Sequence, residues 1–525
     1  MQNPIQTLLK TFISHLLSKK NPDEFLEQSS KSGLNKTLTG FDLIILGISA
    51  IVGAGIFVMI GSAVVGTSEH VGAGPALILS IILAGIICIF PAFCYAEFAS
   101  MIPVSGSAYV YAYATMGEFM AWIIGWVLML EYAIGAIAVS SSWTGYFIQL
   151  LQGFPFLPEC VKNPPVWLIS NYTAIAGTPL ADTVPHILGI PICFNIPAIC
   201  AILIISAVLL KGMTESTNFA KIMVFVKIAV IALFVIVGAF YVKPENWTPF
   251  IPSGIKGVEL GIFTIFYAYV GFDAISTAAE ETKNPQKDLP IGLMGSLFVC
   301  SIIYILVTVV LTGMIPGSQI DITAPIAHAM RYVGQGWFAG AISIGALAGL
   351  TSVLIVLVFG TTRILYAMAR DGFFPKIMSK VHPKYKTPYV MTIVSTVLMI
   401  AGSLFINMQV AAELCVLGTV SSFMIVCIGI IILRYTEPNR KRTFKVPFCP
   451  WFPAIGALLC AYVMYRAMPD IKTAASIFPV WLLAGTAIYF SYGYFNHRRL
   501  EKSVNFVSVE NKECEVEALK QTENI

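Results

Sequence analysis

Five ionisable side chains stand inside long apolar stretches of this sequence: Glu97, Glu131, Lys227, Asp273 and Glu413. Lys227 is set well within MVFVKIAVIALFVIVGAF, six residues past Lys221 and so roughly 9 Å further along a helix. That distance exceeds an easy snorkelling reach for a lysine stem. A charge in hydrocarbon costs between about 2.5 and 17 kcal/mol, so this one needs a reason to be kept. Lys227 is either a structural partner of Glu131 or Asp273, or a group that gains and loses a proton as the protein works. Glu131 and Asp273 have three openings of their own: to face a cationic ligand, to share a proton, or to pair with Lys227. Glu97 and Glu413 fall near the ends of their stretches, where a structural role at the interface is enough. All six histidines fall in tails, loops or loop margins, so an imidazole relay is not expected.

Other chemistries find no foothold. The eleven cysteines form no CxxC pair and no ligand cluster, so neither a metal nor a cofactor is expected. Cys160 and Cys193 share one long loop, and a disulfide between them stays open. No HExxH and no nucleophile–base arrangement lies on an apolar stretch, so the chain does not read as an enzyme. A net charge of +4 gives no support for a nucleic-acid partner. The tails are too short for a signalling domain, no obligate protein partner is evident, and no continuous polar path suggests a channel.

Backbone interruptions carry a second kind of chemistry. In ILGISAIVGAGIFVMIGSAVVG, a break at Gly53-Ala54-Gly55 would free N–H groups at a half-helix N-terminus, which favours a carboxylate. The competing reading is close helix packing by small residues. In GIFTIFYAYVGFDAISTAAEE, a break before Gly271 would release carbonyls of Tyr267, Ala268 and Val270, able to accept from an ammonium group. Freed backbone at membrane depth is tolerated only where it lines a cavity or is covered by protein. Amides from one break and carbonyls from the other suit a zwitterion, and an α-amino acid is the obvious one.

The elements that must position these groups are helices across a bilayer. The 525 residues are 57% hydrophobic and 11% charged, with mean hydropathy +0.80, against roughly a quarter charged in soluble proteins. Twelve apolar segments are predicted, near 41–65, 74–98, 119–150, 196–210, 219–242, 258–280, 290–314, 337–366, 389–408, 411–434, 451–468 and 474–495. The N-terminus is polar and charged up to Lys36, so no cleaved signal peptide is expected. Lys and Arg gather in the N-terminal tail (Lys10, Lys19, Lys20, Lys31, Lys36), after the eighth segment (Arg363, Arg370, Lys376, Lys380, Lys384, Lys386) and after the tenth (Arg434, Arg440, Lys441, Arg442, Lys445). Both termini should therefore be cytoplasmic, in a cell (plasma or inner) membrane. Glu280-Glu281 and Arg363 then fall at cytoplasmic ends, as an inner-gate ion pair or as independent solvated charges. Asn171-Tyr-Thr, Asn246-Trp-Thr and Asn35-Lys-Thr match the glycosylation pattern, one of them in a cytoplasmic tail, so chance accounts for all three.

The interruptions fall in the first and sixth segments, the spacing of a five-helix inverted repeat with substrate at the midplane. At this point GISAIVGAGIFV, FPAFCYAEFASMIPVSGSAYVYAY, LEYAIGAIAVSSSWTGY and FYAYVGFDAISTAAEETKNPQKDLP resemble the amino acid/polyamine/organocation permeases, within them the cationic amino acid transporter group and its bacterial members. The resemblance runs from about Leu38 to Tyr494. It implies an all-α polytopic fold of twelve transmembrane helices, a leucine-transporter-type 5+5 inverted repeat plus two extra. The domains are then a tail 1–38, a ten-helix core 39–434 with a long outside loop 153–195, two added helices in 435–496, and a tail 497–525; the tails are expected to be polar and mobile. It further implies that Gly53, Ala54 and Gly55 hold the substrate carboxylate, with Ile51 and Val52 beside them in the substrate site, that Tyr267, Ala268 and Val270 take the amine with the Tyr267 ring as a lid, and that Glu131 and Asp273 belong to the same site. Lys227 would bridge the first and eighth segments through Thr351 or Ser352, standing in for a bound cation as the proton-coupling group. The implied activity is secondary transport of L-amino acids, by proton symport or by exchange, with a cationic or a small neutral substrate.

Overall fold

The structure, a computed structural model, describes residues 14–25, 36, 38–67, 71–104, 106–154, 156–176, 178–187, 190–211, 213–385 and 387–499, the side chains of 190 and 213–220 excepted. Lys10, Lys31, Lys386, the Asn35 acceptor pattern and most of both tails fall outside these residues. Among the described residues, eight helices are long and apolar enough to cross a bilayer, or nine if the bent pair Gly40–Ile51 and Gly55–Val65 is one span. Three shorter apolar helices, Ile196–Lys211, Tyr389–Phe405 and Trp451–Ala467, stand where the sequence places segments 4, 9 and 11. The chain is an all-α polytopic membrane protein.

Local chemistry fixes the ends of these helices. Segment 1 starts on a capping box, with Thr39 Oγ1 accepting from the Asp42 amide and Asp42 accepting from the Thr39 amide at 3.0 Å. Segment 7 starts at Pro285, where a missing N–H costs nothing. Segment 3 runs unbroken over Glu118–Gln152 and segment 8 over Gly336–Arg370, each longer than its apolar core. Two short helices were not anticipated: Ser107–Thr115 between segments 2 and 3, and Pro325–Tyr332 between segments 7 and 8. Both are too short to span, so hydropathy passes over them. They occupy matching places five segments apart. Segments 2 and 7, 3 and 8, and 4 and 9 pack along one another, while 11 and 12 lie outside against 2, 3 and 10.

The tail residues 14–25 depart from the expected mobile, polar tail. Glu118 N donates to Ser18 O at 2.9 Å, Lys20 pairs with Asp371 at 3.1 Å, and Phe25 is buried against Tyr113. Loop 153–195 carries its own small apolar cluster of Ile175, Val184 and Cys193. Cys160 and Cys193 are separate free thiols in it, one exposed and one buried. Asn171 is buried with Nδ2 on Ser403 O (2.6 Å), and Asn246 Nδ2 donates to Gly313 O (2.7 Å), so both amides are spent on backbone carbonyls.

Candidate functional site

Segment 1 stops at Val52, whose extended backbone (φ −78°, ψ 97°) ends the first half-helix. Gly53 O then accepts from Ile56 N (3.2 Å) and Phe57 N (3.1 Å), opening a second half that begins with a π-turn, Gly55–Met59. The two halves are bent by 43°. The amides of Ala54 and Gly55 therefore stand at a half-helix N-terminus, where first-turn N–H groups have no intrahelical partner. Segment 6 stops at Tyr269. Val270 turns outward (ψ 137°), Gly271 takes φ +108°, which a side chain would strain, and a 3-10 helix resumes at Phe272–Glu281.

The two breaks face one another across a narrow cavity. Gly53, Ala54 and Gly55 line one side of it and Tyr267 and Val270 the other, with Gly135 and Val139 from segment 3, Val353 and Leu357 from segment 8 and Cys415 from segment 10 as walls. No ionisable carboxylate or basic side chain lines it among the described residues. Tyr267 is buried and its hydroxyl has no protein hydrogen-bond partner there.

Part of the expected carbonyl set is already occupied. Tyr304, on segment 7, reaches Ile51 O at 2.8 Å and Ala268 O at 2.6 Å, one hydroxyl proton between the carbonyl ends of both half-helices. Tyr267 O accepts from Val270 N at 3.3 Å. Nothing in the sequence marks Tyr304, since a tyrosine in an apolar helix is ordinary. Tyr304→Phe would leave two buried carbonyls without that donor, costing about 1–3 kcal/mol. The ligand-free thermal midpoint should fall by a few degrees; an unchanged midpoint would show that the tie is idle.

Lys227 is fully buried. Its ammonium donates to Ser49 O (2.9 Å), Val52 O (2.8 Å) and Ser352 Oγ (3.1 Å). Both carbonyls belong to the last turn of the first half-helix, whose C-terminal end carries partial negative charge. Ser352 passes its own proton to Gly349 O at 2.7 Å. Gly349 makes the room, because a Cβ there would sit 3.3 Å from the lysine stem. Thr351, the other expected partner, is held by Trp143 instead. Among the described residues no carboxylate pairs with Lys227, so the alternative pairing with Glu131 or Asp273 is not what the fold builds.

Glu131 and Asp273 lie behind the cavity wall rather than in it. The Cys415 thiol, which lines the cavity, donates to Glu131 O at 3.2 Å. Glu131 packs its Cβ against Gly418, and its carboxylate faces Thr419 and Ser422 without a hydrogen bond. Asp273 accepts from Tyr132 Oη at 2.6 Å. With the hydroxyls of Tyr95 and Tyr111 they form one buried polar cluster whose atoms are largely unpartnered. Glu413 takes Gln409 Nε2 at 2.8 Å beside a larger polar cavity that also reaches Asn171 and Asp321. Glu97 is fully buried and paired, by Arg434 and Arg442.

Toward the other end of segment 1, a groove of about 860 Å³ runs between segments 1, 5, 6 and 8. It is flanked by Glu281–Arg363 (3.1 Å) and Asp42–Lys221 (3.6 Å). Each pair joins a broken segment to an unbroken one. Leu38 N donates to Glu281 O at 3.0 Å, binding the start of segment 1 to the end of segment 6.

The family description "Amino acid permease" fits residues 38–489. The chain is 44% identical to the methylthioribose transporter of Bacillus subtilis over 91% of its own length and 97% of that protein's. It is 42% identical to the branched-chain amino acid permease BcaP of the same organism, over 90% and 96% of the two chains. It is 35% identical to the chloroplastic cationic amino acid transporter 9 of Arabidopsis thaliana, over 88% and 78%.

Proposed function

The chain belongs to the amino acid permease family of the amino acid/polyamine/organocation superfamily, and from that premise we propose a secondary active transporter of small apolar L-amino acids, driven by protons. The supporting observation is the cavity itself. Its ends present half-helix amides at Ala54 and Gly55 and the backbone of Tyr267 and Val270, while its walls are apolar. A carboxylate meets the amides, an ammonium meets the carbonyls still open, and an aliphatic side chain meets Val139, Val353, Leu357 and Cys415. A guanidinium or a second ammonium would meet no opposing charge there, and burying it unpaired is costly. This supports the small neutral alternative over the cationic one, in keeping with a branched-chain permease among the relatives.

Twelve membrane crossings in a 5+5 repeat with two added helices, both termini cytoplasmic, make the frame of this reading. Segments 1 and 6 move with substrate between the halves, and alternating access opens the groove at Glu281–Arg363 in turn with the opposite side. Lys227 carries the coupling proton. Exchange without a proton remains the competing reading, favoured by nothing at Lys227.

Proteoliposomes should take up alanine, valine or leucine against a gradient when the inside is alkaline. Arginine and lysine should not compete at a hundredfold excess. Uptake only into vesicles preloaded with amino acid would establish exchange. Methylthioribose, the substrate in a relative's name, has neither carboxylate nor ammonium for the two half-helix ends; if it alone raised the thermal midpoint, the amino acid reading would fall.

A further inference from the structure

A pocket of about 310 Å³ opens where segment 10 ends and segment 11 begins, lined by none of the residues of the transport cavity. Arg434, Tyr435, Arg442, Lys445 and Cys449 line it. Its charge is unbalanced. Glu97 is the single carboxylate against Arg434 and Arg442: it accepts from Arg434 Nε (2.8 Å) and Nη2 (2.7 Å) and from the Val446 amide (2.6 Å), and stands 3.1 Å from Arg442 Nε as an ion pair without a hydrogen bond. Glu437, the other carboxylate nearby, goes to Arg440 at 3.0 Å, which also meets Asp23. Two arginines and Lys445 thus face one buried carboxylate, an excess of two positive charges.

The frame is rigid. Arg442 is 3% exposed and its Nη atoms sit on the carbonyls of Leu433, Glu437, Pro438 and Arg440. Arg434 is 25% exposed, so its charge reaches the pocket. Around the mouth, Tyr435, Phe448 and Trp451 are 73%, 83% and 74% exposed. Trp451 begins an apolar helix, and amphipathic aromatic rings at such positions sit at the level of lipid headgroups. Basic pockets between membrane helices at that depth suit anionic headgroups; with both guanidinium forks spent inside the protein, the exposed Lys445 ammonium and the excess charge of Arg434 are what meet the phosphate oxygens.

We propose that this pocket binds a phosphate-bearing anion, presented by the headgroup of an anionic phospholipid. The lipid bridges segments 2, 10 and 11 through the Glu97–Arg434–Arg442 cluster, and its acyl chains leave past Phe448 and Trp451. Cys449 gives a local reporter. In detergent, maleimide labelling of the full-length protein is followed peptide by peptide, with the exposed Cys160 as internal control. Phosphatidylglycerol should slow Cys449 labelling at least threefold and leave Cys160 unchanged, and phosphatidylcholine should slow neither. Lys445→Glu, on an exposed side chain, should abolish the protection without altering the elution profile or uptake. Equal protection by millimolar inorganic phosphate would keep the anion site and assign it to free phosphate. Equal protection by both lipids, protection by none of the three, or full protection in Lys445→Glu would overturn the proposal.

Discussion

Lys227→Ala proteoliposomes should accumulate substrate no better with an alkaline interior than without a pH gradient, a loss of at least tenfold in gradient-driven uptake. The ammonium makes three hydrogen bonds, to Ser49 O, Val52 O and Ser352 Oγ. Bonds from a charged donor contribute about 1.5–3 kcal/mol each. They join the C-terminal end of the first half-helix of segment 1, directly before the break at Gly53-Ala54-Gly55, to segment 8, which carries Val353 and Leu357. A proton can shift the balance of two conformations only by its differential affinity for them, and this contact exists only where segments 1 and 8 are held together. Losing the proton removes the charge assistance from all three bonds and adds at most one acceptor. Even half of the summed effect exceeds the 1.4 kcal/mol that makes a tenfold population change. Lys227→Ala keeps the cavity walls, so amino acid should still raise its thermal midpoint, at reduced affinity. Accumulation that still follows the pH gradient would move coupling to the Glu131–Asp273 cluster, and Glu131→Gln would be the variant to lose it.

The charge pairs flanking the groove between segments 1, 5, 6 and 8 should matter far less. Arg363 and Glu281 are 21% and 23% exposed, and pairs so placed contribute about 0–1 kcal/mol. Glu281→Gln should leave the thermal midpoint within about a degree of wild type and alter transport rate by less than threefold.

Both breaks were legible because GAG and GFD lie five segments apart, a spacing that close helix packing by small residues does not require. Lys227 was legible because a lone ammonium in hydrocarbon must find acceptors, and the freed carbonyls of a broken helix are the nearest supply. The choice of Ser352 over Thr351 was not, since it turns on 100° of helix rotation. Tyr304 escaped for a different reason: its role depends on reaching two carbonyls, one 253 residues away, and its own neighbours in sequence are unremarkably apolar. Glu131 and Asp273 could be read as buried, but whether a carboxylate lines a cavity or backs its wall depends on the side chain of Cys415 in between. Glu97 looked interfacial because its partners, Arg434 and Arg442, are over 300 residues on. The two connecting helices and the docked residues 14–25 owe their order to tertiary packing, which hydropathy does not sense.

Gly55→Ala should abolish transport, below about 1% of wild type, and Gly53→Ala should not. A Cβ on Gly55 would lie 2.3 Å from Ala268 Cα and 2.4 Å from Ala268 Cβ, so the two broken helices would have to move apart. On Gly53 the nearest atom is Val353 Cγ2 at 2.6 Å, the tip of one side chain. Overpacking a tight contact costs about 1–3 kcal/mol, and more where backbone must shift. At Gly55 that shift separates the amide end from the carbonyl end, the two groups proposed to grip opposite poles of the zwitterion. At Gly53 the displaced valine presses into the cavity, so KM for leucine should rise about tenfold while alanine is spared. The Gly55 effect has an internal control. Gly55→Ala with Ala268→Gly removes the Cβ–Cβ clash but leaves the Cβ–Cα one, so uptake should return only in part. Gly55→Ala that elutes as wild type and binds substrate with unchanged affinity would show that the helices do not need this approach. Full rescue by Ala268→Gly would show instead that a side-chain collision, not backbone contact, sets the spacing of the site.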